Sequence, residues 1–387
     1  MKTNVAWSTD ESAYLAGKAC AKKAVLDLIQ TKVAFIFTSV KYDVQKLVEG
    51  AKEELGTAPI IGCTSNGGIL VPDGYITSEN GFAGIMAIGD PDTAVGVSAS
   101  PKLLTARETG RQVAIEAMNK VGTTFPPAYF FMIANPGEEE EYAKGIQDVI
   151  GDIPMFGGSC ADDDLSGKWK IFTGDKVFSE GVAVAFFYTN KKLVNEYTGK
   201  YHETVNSGII TEIEGKRTLK EINNIPAMKQ YAEWTGFKTR NLMGDKILTA
   251  SILKPLGVKT PTGNVTLIRH PMAGNSDYSI KVGNDLAVNT AVIQMQSSLD
   301  ELINAPKLVL RNLKAKLKTE PAGYLLVHCG GRKIAIGNRI DEVAKLVKEE
   351  AGDVPFIMPF TFGEYGRAEH EANNMGGLML SETAFCK

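Results

Sequence analysis

The chain has 387 residues with a formal net charge of -3, and 44% of its residues are hydrophobic while 22% are charged. Its length predicts two domains, because single hydrophobic cores rarely grow beyond about 250–300 residues. A charge balance this close to neutral offers no clustered basic face for nucleic acid and no polybasic patch for a membrane surface, so we expect neither partner.

The N-terminal segment and the cysteines predict a cytoplasmic protein. Met1–Trp7 lacks the apolar stretch of a signal peptide, and the most apolar runs are far shorter than the roughly 20 residues that a bilayer requires. The five cysteines are odd in number, scattered and never in a Cys-x-x-Cys arrangement. This pattern argues against a disulfide framework and against a zinc ribbon, so we expect free thiols.

A unit of strand, helix, strand, glycine loop and strand begins near Val33. Val33–Thr38 predicts a buried strand, and Asp43–Leu55 carries apolar residues at helical spacing. Ala58–Ser65 predicts a second strand that ends in a glycine-containing loop, and Gly81–Ile88 predicts a closing strand.

The same order of elements recurs twice further along the chain. The second copy consists of Ala128–Ala134, Glu138–Ile150, Ile153–Cys160 and Gly181–Phe187. The third copy consists of Gly323–His328, Ile340–Ala351, Val354–Gly363 and Gly377–Leu380. Because continuously apolar strands are covered on both faces, we predict a layered α/β fold with mixed sheets built from repeated strand-helix-strand-strand units. The sequence leaves open whether the sheets lie side by side or form a helix-sheet-sheet-helix sandwich.

A different pattern separates the second and third copies. Val194–Glu203 and Val265–Arg269 predict strands, and Ile209–Leu219 predicts a hairpin that turns at Gly215 and Lys216. Pro226–Trp234 predicts a short helix opened by proline.

The domain boundary is predicted where an apolar strand gives way to the polar residues Thr189–Lys192, which gives domains of residues 1–195 and 196–387. In the second domain, Leu299–Leu317 carries helical periodicity that we expect to be interrupted at Pro306.

Four segments carry the glycine loops of the repeated units: Gly62–Gly68, Phe156–Asp163, Cys329–Arg332 and Phe362–Gly366. In this order and separation they resemble the FIST family, in which an N-terminal and a C-terminal FIST domain occur together. The resemblance implies an intracellular sensory or signal-transduction role, small ligands including amino acids, and a separate signalling output protein. Gly68 stands where the family often has a glutamate, which removes one carboxylate from the expected ligand contacts.

The glycine loops offer backbone N–H groups and hydroxyls, a donor set suited to a small anion at strand ends. We therefore predict a ligand cleft lined by the loops, with the alternative that the loops are simply tight turns. The predicted ligand-binding residues are Gly62, Cys63, Thr64, Ser65, Gly157, Gly158, Ser159, Asp162, Cys329, Arg332, Thr361 and Glu364.

Arg332 and Glu364 are the charged members of that set. The planar fork of Arg332 matches a carboxylate, and Glu364 could bind an amino group of the same molecule. The alternative is that the two side chains pair with each other or with neighbours for structural reasons. We expect no cofactor and no metal.

Two other classes of function stay open. A cysteine-dependent hydrolase or transferase would use Cys329 or Cys160 as its nucleophile, but such a thiol needs a base within hydrogen-bond reach. His328 adjoins Cys329 on a strand, where neighbouring side chains point to opposite faces, and His370 is a more distant candidate base. We therefore do not predict an enzyme. The second alternative is a protein-interaction scaffold.

Two acidic runs are given structural interpretations. Asp162–Asp164 is read as a solvated turn in preference to a cation site. Glu138–Glu141 stands at the start of a predicted helix, where negative charge is favoured by the helix dipole.

Overall fold

The computed structural model describes residues 1–260, 262–263 and 265–387. The helices are α1 (Ala13–Ala24), α2 (Val44–Leu55), α3 (Ala106–Val121), α4 (Glu139–Ile150), α5 (Ala227–Thr235), α6 (Lys246–Ala250), α7 (Leu299–Leu317), α8 (Gly330–Ile336) and α9 (Ile340–Ala351). Among the helices of this described part of the chain, none combines the length and apolarity needed to cross a membrane.

The strands before residue 200 are β1 (Lys2–Ser8), β2 (Thr31–Thr38), β3 (Ile60–Thr64), β4 (Ile69–Val71), β5 (Gly74–Ile76), β6 (Ala83–Gly89), β7 (Ala94–Pro101), β8 (Tyr129–Ala134), β9 (Met155–Ser159), β10 (Ile171–Thr173), β11 (Val177–Phe178), β12 (Gly181–Tyr188) and β13 (Leu193–Thr198). The later strands are β14 (His202–Glu214), β15 (Thr218–Ile222), β16 (Ile225–Pro226), β17 (Leu256–Lys259), β18 (Thr266–Arg269), β19 (Pro271–Gly274), β20 (Ile280–Val282), β21 (Ala291–Gln296), β22 (Pro321–Cys329), β23 (Phe356–Thr361), β24 (Glu364–Arg367), β25 (Asn373–Gly376) and β26 (Leu380–Cys386).

Three units share one order of elements: strand, helix, strand, helix and four strands. Unit 1 comprises residues 2–89 and unit 2 comprises residues 94–188. Unit 3 comprises residues 193–198 and 299–386, with the short helix α8 added after its second strand. The predicted threefold repeat is thus confirmed, and a strand and a helix precede each predicted copy.

Each unit forms the greater part of one sheet, and a hairpin from another unit completes that sheet. Hairpin β10–β11 of unit 2 pairs with β3 of unit 1, and hairpin β24–β25 of unit 3 pairs with β9 of unit 2. Hairpin β4–β5 of unit 1 pairs with β23 of unit 3, which closes the exchange into a ring.

The inner faces of the three sheets enclose one apolar core. Phe35 of the first sheet contacts Phe131 of the second, with ring centroids 4.9 Å apart, and Phe385 of the third sheet lies 6.4 Å from Phe35 and 6.1 Å from Phe156. The helices cover the outer faces in separate clusters. The predicted layered α/β fold class is confirmed. The sequence left open whether the sheets lie side by side or form a helix-sheet-sheet-helix sandwich, and in the structure three sheets surround one core.

Residues 199–298 form an insertion between β13 and α7 of unit 3. Its sheet has the order β18-β17-β21-β14-β15-β20-β19, with β16 beside β15. The predicted hairpin is present as β14 and β15, which turn at Gly215 with a φ of +60°, and the predicted short helix is present as α5. Buried charge fastens the insertion to the start of α4, because Arg217 binds Glu139 at 2.7 Å and also contacts Glu140.

Three sequence expectations differ from the structure. The predicted strand Val194–Glu203 is divided, because β13 ends at Thr198 and β14 begins at His202. Helix α7 runs through Pro306 without interruption, since apolar side chains on both sides of the proline are buried against unit 3. The closing strand of unit 3 begins at Leu380 and extends to Cys386, beyond the predicted Gly377–Leu380. The predicted domain boundary after residue 195 falls inside β13 and stays a prediction.

Candidate functional site

The three predicted loops meet and bind one another in a ring. The N–H of Ala161 donates to the carbonyl of Thr64 at 3.0 Å, and the N–H of Phe362 donates to the carbonyl of Ser159 at 3.4 Å. The N–H of Asn66 donates to the carbonyl of Phe360 at 2.9 Å and completes the ring. The loop residues predicted to lie together therefore do so.

The polar side chains of these loops are largely occupied within the protein. The hydroxyl of Thr64 accepts the N–H of Lys170 at 2.9 Å, and the hydroxyl of Ser65 donates to the carbonyl of Gly68 at 2.7 Å. The hydroxyl of Ser159 lies 2.5 Å from that of Tyr365. Of these three contacts, only that of Ser159 with Tyr365 joins two loops, but all three hydroxyls are engaged within the protein and none is left for a ligand in an open cleft.

Asp162 and the loop glycines also have local roles. The carboxylate of Asp162 accepts the N–H of Leu165 at 2.7 Å and that of Lys168 at 2.8 Å, which closes a turn. A Cβ at Gly62 or Gly157 would overlap a carbonyl of the neighbouring parallel strand, and one at Gly158 would lie 2.8 Å from the carbonyl oxygen of Gly363. The glycines permit this close approach of backbones.

The family glutamate has no room at Gly68. A Cβ there would overlap the ring of Tyr75, whose hydroxyl donates to the carbonyl of Gly67 at 2.8 Å. The tyrosine thus fills the space that a side chain at Gly68 would need.

The thiols near the loops are buried and protonated. Burial raises the pKa of Cys63, Cys160 and Cys329 far above the ordinary thiol value. Burial, helped by the charge of Arg332, lowers the pKa of His328 to about 3, so its imidazole is neutral. Because a thiolate is the reactive form, these cysteines are poorly suited to nucleophilic attack. The alternative base, His370, lies on the exposed turn between β24 and β25, where Glu369 is its ionic neighbour.

Arg332 and Glu364 do not form an ion pair with each other. Nη1 of Arg332 donates to the carbonyls of Gly199 and Leu378 at 2.6 and 3.1 Å. The carboxyl of Glu364 accepts the hydroxyl of Thr361 at 3.0 Å and the N–H of Met379 at 2.9 Å. Burial raises the pKa of Glu364 to about 8 despite these bonds and the nearby Arg332.

A second buried carboxyl, Glu382, was missed from the sequence. Arg332 and Glu382 are both fully buried. Within the described part of the chain, no hydrogen-bond partner reaches Nε or Nη2 of Arg332, either carboxyl oxygen of Glu382, or Nε2 of His328. Burial raises the pKa of Glu382 well above its ordinary value, while the charge of Arg332 opposes that shift. A charge inside an apolar closing strand was the sequence signal, but the predicted strand stopped at Leu380.

The sister units have apolar residues where unit 3 has these carboxyls. Ile85 pairs with Ile36 in unit 1, Val184 pairs with Met132 in unit 2, and Glu382 pairs with Leu326 in unit 3, each two residues from the pair that ends its strand. By the same register, Glu364 replaces Ile69 and Ile171 in the exchanged hairpins. The polar cluster is therefore specific to unit 3.

A cavity of about 860 Å³ lies next to this cluster, where the insertion leaves and rejoins unit 3. We call it the junction cavity. Its walls are the crossing from β13 to β14 (residues 196–203), the first turns of α7, the strand β18, and Ala368 with Glu369. Gly199 and Tyr201 of the crossing separate the junction cavity from Arg332, whose guanidinium carbon lies 5.6 Å from the Tyr201 ring centroid.

The junction cavity carries charges of both signs with an acidic excess. Lys316 binds Glu196 at 2.7 Å and Glu369 at 3.2 Å, and His202 lies 2.8 Å from Glu301. Glu203, Asp300 and Lys200 add further charge to the lining, which also includes Tyr197, Val265, Ile268, Met295 and Leu308. Such a surface suits a polar molecule with an apolar part.

The two outer helices of a unit approach each other more closely in units 1 and 2 than in unit 3. Gly17 of α1 and Gly110 of α3 each lie five residues after their N-caps, and a Cβ at either would overlap a backbone carbonyl of the partner helix. The corresponding residue of α7 is Ile303. The partner helices show the same difference, with Gly50 and Gly145 seven residues after the N-cap and Leu346 in α9.

Two family models match the chain. A family model described as the FIST N domain matches residues 32–225, and a model described as the FIST C domain matches residues 227–367. No curated protein is matched by sequence. Among solved structures, a cyanuric acid hydrolase is 8% identical, with a TM-score of 0.35 over 100% of this chain and 99% of that chain. PurLQS from Thermotoga maritima is 8% identical, with a TM-score of 0.25 over 100% of this chain and 72% of that chain. Scores this low do not establish a common fold.

Proposed function

Because the chain belongs to the FIST family, whose domains are associated with sensory signal transduction, we propose that it is a cytoplasmic sensor of a small polar metabolite such as an amino acid. The metabolite binds in the junction cavity, and a separate signalling protein responds to the bound state. The five buried, unpaired cysteines suit a reducing compartment and support the cytoplasmic location.

The junction cavity is the observation that carries this proposal. Its volume of about 860 Å³ is in the usual range for sites of small molecules. It lies between the insertion and unit 3, so a ligand that contacts both would favour one placement of the insertion over another. A ligand shifts a conformational equilibrium by its differential affinity for the two states, which is what a sensor requires.

Binding without catalysis is the second part of the proposal. The cysteines at the loops are buried with raised pKa values, and the charged residues of the junction cavity are mostly held in ion pairs. These features favour recognition of a ligand over attack on one.

A thermal-shift screen with the twenty amino acids and small carboxylates tests the proposal. A ligand at 100 times its Kd stabilises the folded state by about 2.7 kcal/mol, so a true ligand should raise the Tm measurably. Asn304→Trp, on the exposed cavity wall of α7, should fill the junction cavity and abolish that rise.

Asn119→Trp supplies a matched control, since Asn119 is exposed on α3 of unit 2 and does not line the junction cavity. The control variant should respond to the ligand as the wild type does. The proposal fails if no compound in the screen stabilises the wild type, or if Asn304→Trp retains the full response.

A further inference from the structure

The guanidinium of Arg332 has one anchored corner and one free edge. Nη1 is held by the carbonyls of Gly199 and Leu378, which fixes the plane of the group. Nε and Nη2 form the opposite edge and have no hydrogen-bond partner within the described residues, although the guanidinium lies over the ring of Tyr201. Two parallel N–H donors on one edge match the two oxygens of a carboxylate.

Burial makes this free edge unusual. A buried donor without a hydrogen bond costs free energy, and a charged donor costs more than a neutral one. Arg332 is nevertheless fully buried with two such donors, and Glu382 is fully buried with two such acceptors. The sister units avoid this cost with Ile85 and Val184 at the position of Glu382.

Glu382 lies on the same side of the sheet as the junction cavity. It stands directly opposite Glu196 across the pair of β13 and β26, and directly opposite side chains in a sheet share one face. Glu196 lines the junction cavity, and the charge of Arg332 acts on Glu382. Gly199 and Tyr201, which line the junction cavity, also contact Arg332, so these two buried groups lie behind its wall, and we call their surroundings the polar chamber.

We propose that the free edge of Arg332 binds the carboxylate of the metabolite and that Glu382 binds a hydrogen-bond donor next to that carboxylate. This inference rests on the proposed function and names its ligand class, the small carboxylic acids with an adjacent amino or hydroxyl group. Glu364 is not assigned to the ligand, because its carboxyl oxygens already accept hydrogen bonds from Thr361 and Met379.

The crossing from β13 to β14 controls entry to the chamber. The carbonyl of Gly199 holds Nη1 of Arg332, and the next residue, Lys200, has a φ of +52° in the left-handed region. Since Arg332 and Glu382 are fully buried, the ligand reaches them when this crossing moves. The crossing continues into β14, so its movement is passed to the central strand of the insertion.

The side-chain N–H signals of ¹⁵N-arginine-labelled full-length protein test the proposal. The probes are acetate, glycolate and glycine, with acetamide and glycolamide as neutral counterparts. We expect the three carboxylates to shift the Nε–H signal of Arg332, with glycolate and glycine effective at concentrations at least tenfold lower than acetate. The amides should leave the signal unchanged. The Nε–H of Arg107, bound to Asp148 at 2.8 Å on unit 2, is the internal reference.

Two variants separate the roles of the two residues. Glu382→Gln should bind acetate as the wild type does but lose the tenfold preference for glycolate and glycine. Arg332→Lys keeps the charge without the fork and should weaken the binding of all three carboxylates at least tenfold. Because the wild-type titration needs no substitution, misfolding of either variant does not decide the result.

The inference is overturned if the carboxylates leave the Arg332 signal in place, or if the amides shift it equally. It is also overturned if an amino acid found in the thermal screen is lost from Asn304→Trp yet binds Arg332→Lys and Glu382→Gln unchanged. In that last case the sensor proposal stands and only the chamber is refuted. Failure of the thermal screen for every compound would instead refute the sensor proposal.

Discussion

Units 1 and 2 differ from unit 3 in how their outer layers are made. In the first two units, paired glycines bring two helices into backbone contact over an apolar sheet face. In unit 3, Ile303 and Leu346 replace the glycines and Glu382 replaces an apolar strand residue. The difference teaches that the outer layer of unit 3 has become wider and more polar, while units 1 and 2 keep closely packed helices over an apolar sheet face.

The insertion follows the same division. The first strand and first helix are joined by residues 9–12 in unit 1 and by residues 102–105 in unit 2, whereas residues 199–298 join them in unit 3. The junction cavity forms where this long connection departs and returns. Proteins commonly place function where local rules of packing and polarity are broken. Unit 3 departs from the other units in its larger side chains between the helices, its buried Glu382 and its long insertion.

Replacing the helix-contact glycine of unit 2 by the isoleucine that unit 3 has there should have the largest effect on stability. Gly110→Ile would drive a side chain into the backbone of α4 at Tyr142, which cannot move without separating the helices. We expect a loss of about 3 kcal/mol or more and a Tm lower by about 4 °C or more, measured by calorimetry. Ile303→Leu in α7 should cost less than about 1.5 kcal/mol. Equal Tm values for the two variants would show that the helix pairs do not differ in this way.

The pH dependence of stability should come next, with a smaller effect for each pH unit, and should depend on Glu364. Burial raises the pKa of Glu364 to about 8, so the folded state holds a proton that the unfolded state releases near pH 4. The stability that this proton provides is complete below the unfolded pKa and is lost as the pH rises towards 8. Relative to Glu364→Gln, the wild type should lose up to about 1.4 kcal/mol per pH unit between pH 5 and 8.

Urea denaturation of both proteins at pH 5, 6, 7 and 8 measures this difference. Burial lowers the pKa of His270 to about 4 and that of His328 to about 3, so both histidines destabilise the folded state as the pH falls. This effect is the same in both proteins and cancels in the comparison. Parallel pH profiles would contradict the assignment to Glu364.

Restoring the apolar residue of the sister units at Glu382 should have the smallest effect. Glu382→Ile removes a buried carboxyl that has no hydrogen bond in the described structure. We expect the free energy of unfolding to rise by about 1–2 kcal/mol in urea denaturation, while the response to glycine falls to that of acetate. Val184→Ile in unit 2 serves as the control and should change stability by less than about 1.5 kcal/mol. A large loss of stability would mean that Glu382 supports the fold.

The repeated units were predictable because their signal is local. Buried strands such as Val33–Thr38 and Ala128–Ala134 are continuous apolar runs, and the helices after them carry apolar residues at helical spacing. The insertion was recognised as different but not as one sheet. Its strands, such as Leu256–Lys259 and Ile280–Val282, are short and alternate weakly, so their pairing depends on contacts far along the chain.

The candidate site was predictable in part. The sequence identified Arg332 and Glu364 by their charge within glycine-rich segments, and it brought the three loops together in principle. It could not show that the hydroxyl of Ser159 would contact Tyr365 of another loop or that Thr64 would bind Lys170, because both contacts depend on the ring of exchanged hairpins. The junction cavity was also beyond sequence reasoning, since its walls come from four separate parts of the chain, residues 196–203, 265–268, 295–316 and 368–369.

The exchange of hairpins bears on how the protein is made on the ribosome. Hairpin β4–β5 is synthesised early but cannot pair until β23 has been made, and strand β9 cannot pair with hairpin β24–β25 until that hairpin has been made. Both partners are synthesised about 200 to 300 residues later, so the growing chain carries unpaired strand edges through most of translation. Such edges favour aggregation, and we expect the nascent protein to need the shelter of chaperones until its final residues close the ring.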